Sequence, residues 1–307
     1  MDRCTSEGSD TAEGAGCGTG REAPPAPPGF EYDAAYLERL SDGWTRISYP
    51  LIAPLVKRTL ASRTPRDILD FGAGAGTYAD LLGSLGARVS ACDVSPDCLE
   101  ACRGRYAEAF PISGAADLPS GEYDLVFSTE VLEHVDDWRD ALRNIRRALR
   151  PGGVLLLTTT AYAPAVFAMI NRRRCEGGGV AGTALETLRW ARGLLPRGAA
   201  RRDRFVRRWC FEATGGHLHG FTMRELKRAL RGAGFRVASS GVFHAVQPVH
   251  LPFLYLNRPG DLIRNRRRPV PWRIAAVLLY GAGWTANRVF RAARLFANNV
   301  YLVAARD

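Results

Sequence analysis

A chain of 307 residues with a hydrophobic fraction of 46% can bury a full core, which excludes a polymer disordered throughout and suits one large domain carrying insertions. Its net charge of +11 is nearly all arginine, since lysine occurs only at Lys57 and Lys227, and an Arg-, Ala- and Gly-rich composition is weak ground for a nucleic-acid partner. Seven scattered cysteines without a C-x-x-C pair exclude a secreted disulfide framework and favour reduced thiols and a cytoplasmic location.

In chain order, residues 1–29 lack an apolar run and are rich in Gly, Ser, Thr and Pro, so they read as a disordered leader. Pro24-Pro25-Ala26-Pro27-Pro28 stiffens the junction with a domain expected over 30–307. Helices are predicted over Tyr32–Leu40 and Ile47–Leu60, where apolar residues recur near helical spacing. Tyr36, Trp44 and Tyr49 fall in this region and are candidates to cover a site, core packing being the plainer role.

The stretch Arg66 to Leu82 organises the rest of the chain. Ile68, Leu69 and Phe71 make a buried strand; Gly72, Gly74 and Gly76 then free the backbone to turn sharply and admit a ligand; a helix is predicted over 77–86. The predicted elements then alternate: strand 87–92, helix 96–108, strand 110–114, strand 122–128, helix 137–149, strand 153–160. Helix 137–149 gathers Ala141, Leu142, Ile145, Ala148 and Leu149 on one face and turns Arg143, Arg146, Arg147 and Arg150 away, and Pro151-Gly152-Gly153 ends it. Regularity breaks over 161–220, which is too long for a plain connection and reads as a lid. It resumes with Thr222 and Glu225 at capping-box spacing, a helix to about Arg231, a strand Phe235–Phe243 and a last strand Asn299–Ala304. The fold class is therefore α/β: a doubly wound, mostly parallel seven-stranded sheet with helical insertions at about 161–220 and 245–297.

A nucleotide-like ligand is implied by the glycine turn, but not a dinucleotide. The G-x-G-x-x-G spacing fails because the third glycine comes one residue early and Thr77 holds its place. Asp93, seventeen residues after Gly76, ends strand two in Ala91-Cys92-Asp93-Val94-Ser95, where a ribose needs an acceptor. Asp117 follows strand three in Ala115-Ala116-Asp117-Leu118-Pro119. Strand four runs into Ser128-Thr129-Glu130-Val131-Leu132-Glu133-His134-Val135.

This succession resembles the class I S-adenosylmethionine (SAM)-dependent methyltransferases with their Rossmann-like fold, and within them the small-molecule branch that contains the ubiquinone and menaquinone biosynthesis methyltransferases. The resemblance covers residues 66–160, continuing through Gly216-His217-Leu218-His219-Gly220-Phe221-Thr222 and Leu226 to Phe235. It implies SAM as cofactor and a role for each matched residue. Asp70 would meet the methionine ammonium group; Gly72, Gly74 and Gly76 would let SAM lie on the backbone; Asp93 with Val94 would bind the ribose side; Asp117 with Leu118 would take the adenine; Ser128 and Glu130 would line the face toward the acceptor.

Displacement from a sulfonium needs mainly positioning, whereas an oxygen acceptor also needs a base near neutral pH. His219, His134 and His217 are the catalytic candidates in that order, and no ligand spacing points to a metal. The expected function is methyl transfer to a small-molecule hydroxyl in a biosynthetic pathway. Three alternatives stand beside it: a membrane-peripheral enzyme of a lipid or quinone-like intermediate, an RNA or protein methyltransferase, and a non-catalytic scaffold. The second is disfavoured because no N/D-P-P-Y motif comes after strand four. The uncharged run Ile274 to Ala286 beside the basic Arg264–Arg268 suggests either a membrane-interface helix or a dimer contact.

Overall fold

The central strands are buried almost throughout, and successive residues along them alternate between two core faces, which sets the architecture. The computed structural model describes residues 48–161, 198–209, 216–245 and 297–307, with Val270, Pro271, Ile274, Leu278, Gly281 and Thr285. The leader, helix Tyr32–Leu40, Tyr36, Trp44 and most of the two insertions lie outside the described residues. Seven strands, β1 (Asp67–Phe71), β2 (Arg88–Asp93), β3 (Glu108–Pro111), β4 (Tyr123–Thr129), β5 (Leu149–Thr160), β6 (Phe235–Ala245) and β7 (Ala297–Arg306), form one sheet in the order β3-β2-β1-β4-β5-β7-β6. The first five are parallel to their neighbours, and β7 runs antiparallel to both β5 and β6.

Leu69, Val126, Leu155 and Leu157 point to one face, against α4 (Trp138–Ala148) and α6 (Met223–Gly232). Ile68, Leu125, Phe127, Val154 and Leu156 point to the other, against α1 (48–59) and α2 (Ala79–Gly83). Two apolar faces on a strand buried on both sides are what a doubly wound sheet requires. The chain enters the sheet at β1, steps outward to β2 and β3, then crosses to β4 on the other flank. That reversal opens a crevice at the carboxyl ends of β1 and β4.

The element order matches the predicted one, with shifted boundaries. α2 spans five residues rather than the expected ten because the turn persists through Tyr78. α3 (Pro96–Cys102) stops six residues early, where Gly104 takes a φ of 75° and redirects the chain into β3. β5 begins at Leu149, which pairs with Tyr123 before a register shift. The arginines turned away from the core have partners. Arg147 donates to the carbonyls of Ala116 and Leu118, and Arg146 to that of Gly234. Within the arginine-rich α5 (Ala199–Trp209), Arg202 is turned inward. It pairs with Glu225 and donates to Gly220 O, and its side chain is 12% exposed.

Asp124 anchors the start of β1. Its Oδ2 accepts from the backbone N–H groups of Arg66 (2.7 Å) and Asp67 (3.1 Å), and its Oδ1 from Arg150 (3.0 Å). Burial opposes its ionisation, but these amides and the guanidinium outweigh burial and hold the carboxyl below the usual range. A carboxyl lowered on folding adds stability above its unfolded pKa and loses it as pH falls through the folded value. Asp124→Ala is expected to cost about 1–3 kcal/mol at neutral pH. Urea unfolding should show the gap from wild type narrowing as the pH falls below about 4.

Candidate functional site

The turn after β1 is held open by its glycines and closed from behind by its neighbours. Gly72, Gly74 and Gly76 have φ of 73°, 53° and 70°. A Cβ on Gly72 would stand 2.5 Å from Val131 Cγ2, whereas one on Gly74 would meet nothing within 4 Å. The N–H groups of Gly72 and Ala73 both donate to Cys92 O, at 2.9 and 3.2 Å. Asp93 completes the arrangement: Oδ2 accepts from Gly74 N at 2.9 Å and Oδ1 from Ser95 N at 3.0 Å.

Above this turn lies a cavity of about 540 Å³. Its walls are the turn itself, Val94 after β2, residues 112–116 after β3, and residues 129–131 and 134–137 at and after the end of β4. Of the residues chosen from sequence, Asp70, Gly72, Gly74, Asp93, Val94, Glu130 and His134 line it. Gly76, Asp117, Leu118, Ser128, His217 and His219 do not. Gly76 is covered by Arg105, Tyr106 and Cys102. Asp117 is exposed and uses Oδ2 to accept from Ser113 N (2.6 Å) and Gly114 N (3.1 Å), so it shapes the loop whose residues 113–116 face the cavity. Leu118 and Ser128 are buried in the body of the domain.

Three carboxyl groups dominate the electrostatics. Asp70 is 2% exposed, and burial pushes its carboxyl up to about 7; the Tyr106 hydroxyl opposes this and nearby Asp93 adds to it. Glu130 sits at φ 56°, a left-handed conformation uncommon for a residue with a side chain. It accepts from Thr158 (3.0 Å) and Asn299, and lies 2.9 Å from Thr160 Oγ1, whose single proton it shares with Glu133. Burial and the neighbouring Glu133 push it well above the carboxylate range. Glu133, fully buried, accepts from Thr159 Oγ1 at 2.7 Å, Thr160 Oγ1 at 2.9 Å and Thr160 N at 3.3 Å. Burial would raise it too, but the imidazole edges of His217 and His134 and the Thr159 hydroxyl bring it below the usual value.

The histidines divide by position. His134 lines the cavity with Nδ1 3.3 Å from Gly216 O, which makes Nδ1–H the donor and Nε2 the basic nitrogen. Burial holds it below the ordinary histidine value. His217 packs edge-on behind it, ring centroids 4.7 Å apart, and burial pushes it down to about 3. Glu133, His134 and His217 bring their polar side-chain atoms within 4.8 Å of one another, a clustering of metal-ligand residue types that the 83-residue gap between His134 and His217 hides in the sequence. His219, first of the base candidates, is turned elsewhere. Its Nε2 faces the carbonyls of Val135 (2.9 Å) and Asp136 (3.1 Å), and its Nδ1 lies 3.2 Å from Asp203 Oδ2, at ion-pair range without hydrogen-bond alignment. It staples α5 and residues 216–221 to the loop after β4.

Residues 44–240 match the methyltransferase domain family, well over half of the chain. The chain belongs to this family. The ubiquinone biosynthesis O-methyltransferase of Xanthomonas oryzae pv. oryzae (strain PXO99A) is 34% identical over 110 residues, covering 33% of this chain and 46% of that protein. The same enzyme of Xanthomonas campestris pv. campestris (strain B100) aligns to the same extent. The chain thus spans less than half the length of the curated relatives it matches. Among solved structures, a SAM-dependent methyltransferase from Thermotoga maritima superposes with a TM-score of 0.50 at 13% identity, covering 89% of this chain and 95% of that one, a likeness of fold.

The cavity of this methyltransferase domain fits SAM. Asp70 is a buried carboxyl in want of a cation, Gly74 leaves its backbone approachable, and Val94 is a large apolar side chain left 57% exposed on the wall. Sequence reading missed Ser48 and Tyr78, which line the cavity and share a 2.8 Å hydrogen bond. It also missed the donors to Glu130 and Glu133. Thr158-Thr159-Thr160, three buried hydroxyls ending an apolar strand, were the available signal.

Gly72→Ala is expected to lower stability by at least about 1 kcal/mol through its positive φ alone, with the Val131 clash adding to it; thermal melts with and without S-adenosylhomocysteine (SAH) would show loss of both stability and ligand-induced shift. His219→Ala should lower the melting temperature and speed proteolysis at 198–221, yet leave the pH dependence of turnover in place.

Proposed function

We propose that this domain transfers the methyl group of SAM to a hydroxyl oxygen of a small molecule. The observation that carries the reading is the placement of the glycine turn, Asp70 and Asp93 on one wall of the cavity and of His134 on another, in the loop after β4. The curated relatives named above are O-methyltransferases, which favours oxygen as the acceptor atom. Under this reading the chain is a domain over 30–307 behind a leader, acts in a biosynthetic pathway and works in the cytoplasm.

Bound SAM supplies a methyl group on a sulfonium whose leaving group is already activated. The protein's residues do the rest. Asp70 receives the ammonium group, and the carbonyl-side turn at Gly72–Gly76 carries the methionine portion. Asp93 has two further lone pairs beyond those given to Gly74 N and Ser95 N, and these accept from the ribose hydroxyls. Val94 packs on the adenine, with residues 113–118 forming the edge that Asp117 braces. Ser128 supports from behind the strand end that presents Glu130. His134, held as the Nδ1–H tautomer by Gly216 O, takes the acceptor's proton at Nε2, with His217 behind it fixing the ring.

A membrane-peripheral version of the same enzyme is favoured by one observation. Val270, Ile274 and Leu278, helical positions four residues apart, are 55%, 56% and 67% exposed, and they come after the basic run Arg264–Arg268. No helix among the described residues is long and apolar enough to cross a membrane. Flotation with anionic liposomes should show binding that persists in high salt; a concentration-dependent dimer without liposome binding would assign the stripe to a second copy.

Asp93→Ala should abolish SAH binding in calorimetry, because it removes the ribose acceptor and releases the turn together; unchanged binding would overturn the SAM assignment at this site. His134→Asn should lower kcat for an oxygen acceptor by about 100-fold or more while SAH affinity holds. Because burial lowers His134, wild-type turnover should be flat above pH 7 and fall only below the ordinary histidine range of about 6.5.

A further inference from the structure

Tyr106 is not part of the cavity wall, yet its hydroxyl donates to Asp70 Oδ2 at 2.6 Å. It comes from the chain just beyond α3, which grips the glycine turn from behind at three points. Cys102 Sγ approaches Gly74 O at 3.3 Å, Arg105 donates to Ala75 O at 2.8 Å, and Tyr106 reaches past both to the carboxylate. Its ring also occupies the space beside Gly76, where a Cβ would stand 3.2 Å from Tyr106 Cε2. The ring and the hydroxyl therefore have separable jobs: one fills space under the turn and the other touches Asp70.

We infer that Tyr106 is a positioning residue for methyl-donor binding: its hydroxyl keeps the buried Asp70 carboxylate ionised and aimed so that it can receive the donor's ammonium group. The inference rests on the reading of Asp70 as the ammonium acceptor. The groups around Asp70 show why a donor is needed. Asp93 and Cys92 face it from β2, Cys102 from α3, and Tyr78 from the turn before α2. Burial pushes both thiols and the Tyr78 phenol above their ordinary values, so they stay neutral and offer the carboxylate no countercharge, while Asp93 opposes its ionisation. Arg105, the nearby cation, is committed to Ala75 O and lies 3.8 Å from Asp80. Glu130 stands at the far wall as a second acid. Against burial and this acidic company, the Tyr106 hydroxyl is the group that favours the ionised form.

A ligand that requires ionised Asp70 binds more weakly wherever the free protein holds that carboxyl protonated. Removing the hydroxyl raises the pH at which this happens, so the defect must grow as pH falls and vanish when Asp70 is ionised in both proteins. The test is calorimetric titration of the full chain with SAH, wild type against Tyr106→Phe, from about pH 6 to about pH 9. The ratio of the two dissociation constants cancels the ligand's own titration. It should approach about tenfold at the acid end, the factor for one pKa unit, and fall toward unity at the alkaline end. Incorporating 3-fluorotyrosine at position 106 keeps the ring and strengthens the donor, so its ratio should move the opposite way, below one at the acid end. This second protein decides the matter even where the phenylalanine variant folds poorly. A ratio that does not change with pH in either protein overturns the inference and leaves Tyr106 as packing. Failure of the wild-type chain to bind SAH at any pH overturns the SAM reading and the inference with it.

Discussion

One carboxylate ties the two loops on which the cavity stands. Asp93 ends β2, and its two oxygens reach to the glycine turn after β1 and to the first residues of the loop after β2. Asp93 joins the two loops to each other, while Cys92 O, Cys102 and Arg105 hold the glycine turn from behind, as glycines at positive φ require. A buried carboxylate that accepts backbone N–H groups is a strong tie, since each bond is charge-assisted. The same oxygens retain lone pairs for a ligand, so the residue that shapes the turn also meets what lies on it.

The opposite wall is built on another principle. β5 ends in three threonines, and β7 brings Asn299 beside them. These donors serve Glu130 and Glu133, two carboxyls three residues apart, the first half-buried on the cavity wall and the second fully buried. Left without partners in an apolar sheet edge, either would cost several kcal/mol. With them, the strained backbone at Glu130 is over-determined from three strands, and the loop that carries His134 leaves β4 in one direction. The antiparallel β7, inserted between β5 and the edge strand β6, supplies Asn299, the side chain that completes the donor set of Glu130.

The segment 216–221 couples α5 to this wall. Leu218 and His219 donate from the backbone to Glu133 O, His219 reaches the carbonyls of Val135 and Asp136, and Gly216 O fixes His134. Asp203 and Arg202 of α5 hold the same segment from outside. A histidine devoted to such a staple is turned away from the cavity, whereas His134 lines it.

The order of strands and helices, the two-faced burial and the donor-binding turn were legible in the sequence because each depends on local spacing. Periodicity of two or of 3.6 reports which side chains share a face, and Gly72, Gly74 and Gly76 report where a backbone must be left open. Asp70 and Asp93 were legible for the same reason, each placed at a fixed distance along its strand. What only the tertiary structure decided are pairings between residues far apart in the chain. Tyr106 with Asp70, Asn299 with Glu130, His219 with Asp203 and the loop after β4, and His217 with His134 all join separate elements. Spacing carries no information about such pairs, since the direction of a side chain at a strand end is set by what packs against it. The sequence by itself thus determined the order of the elements and the open glycine turn, and the folded chain decided which of the histidines lines the cavity and which donors each buried acid meets.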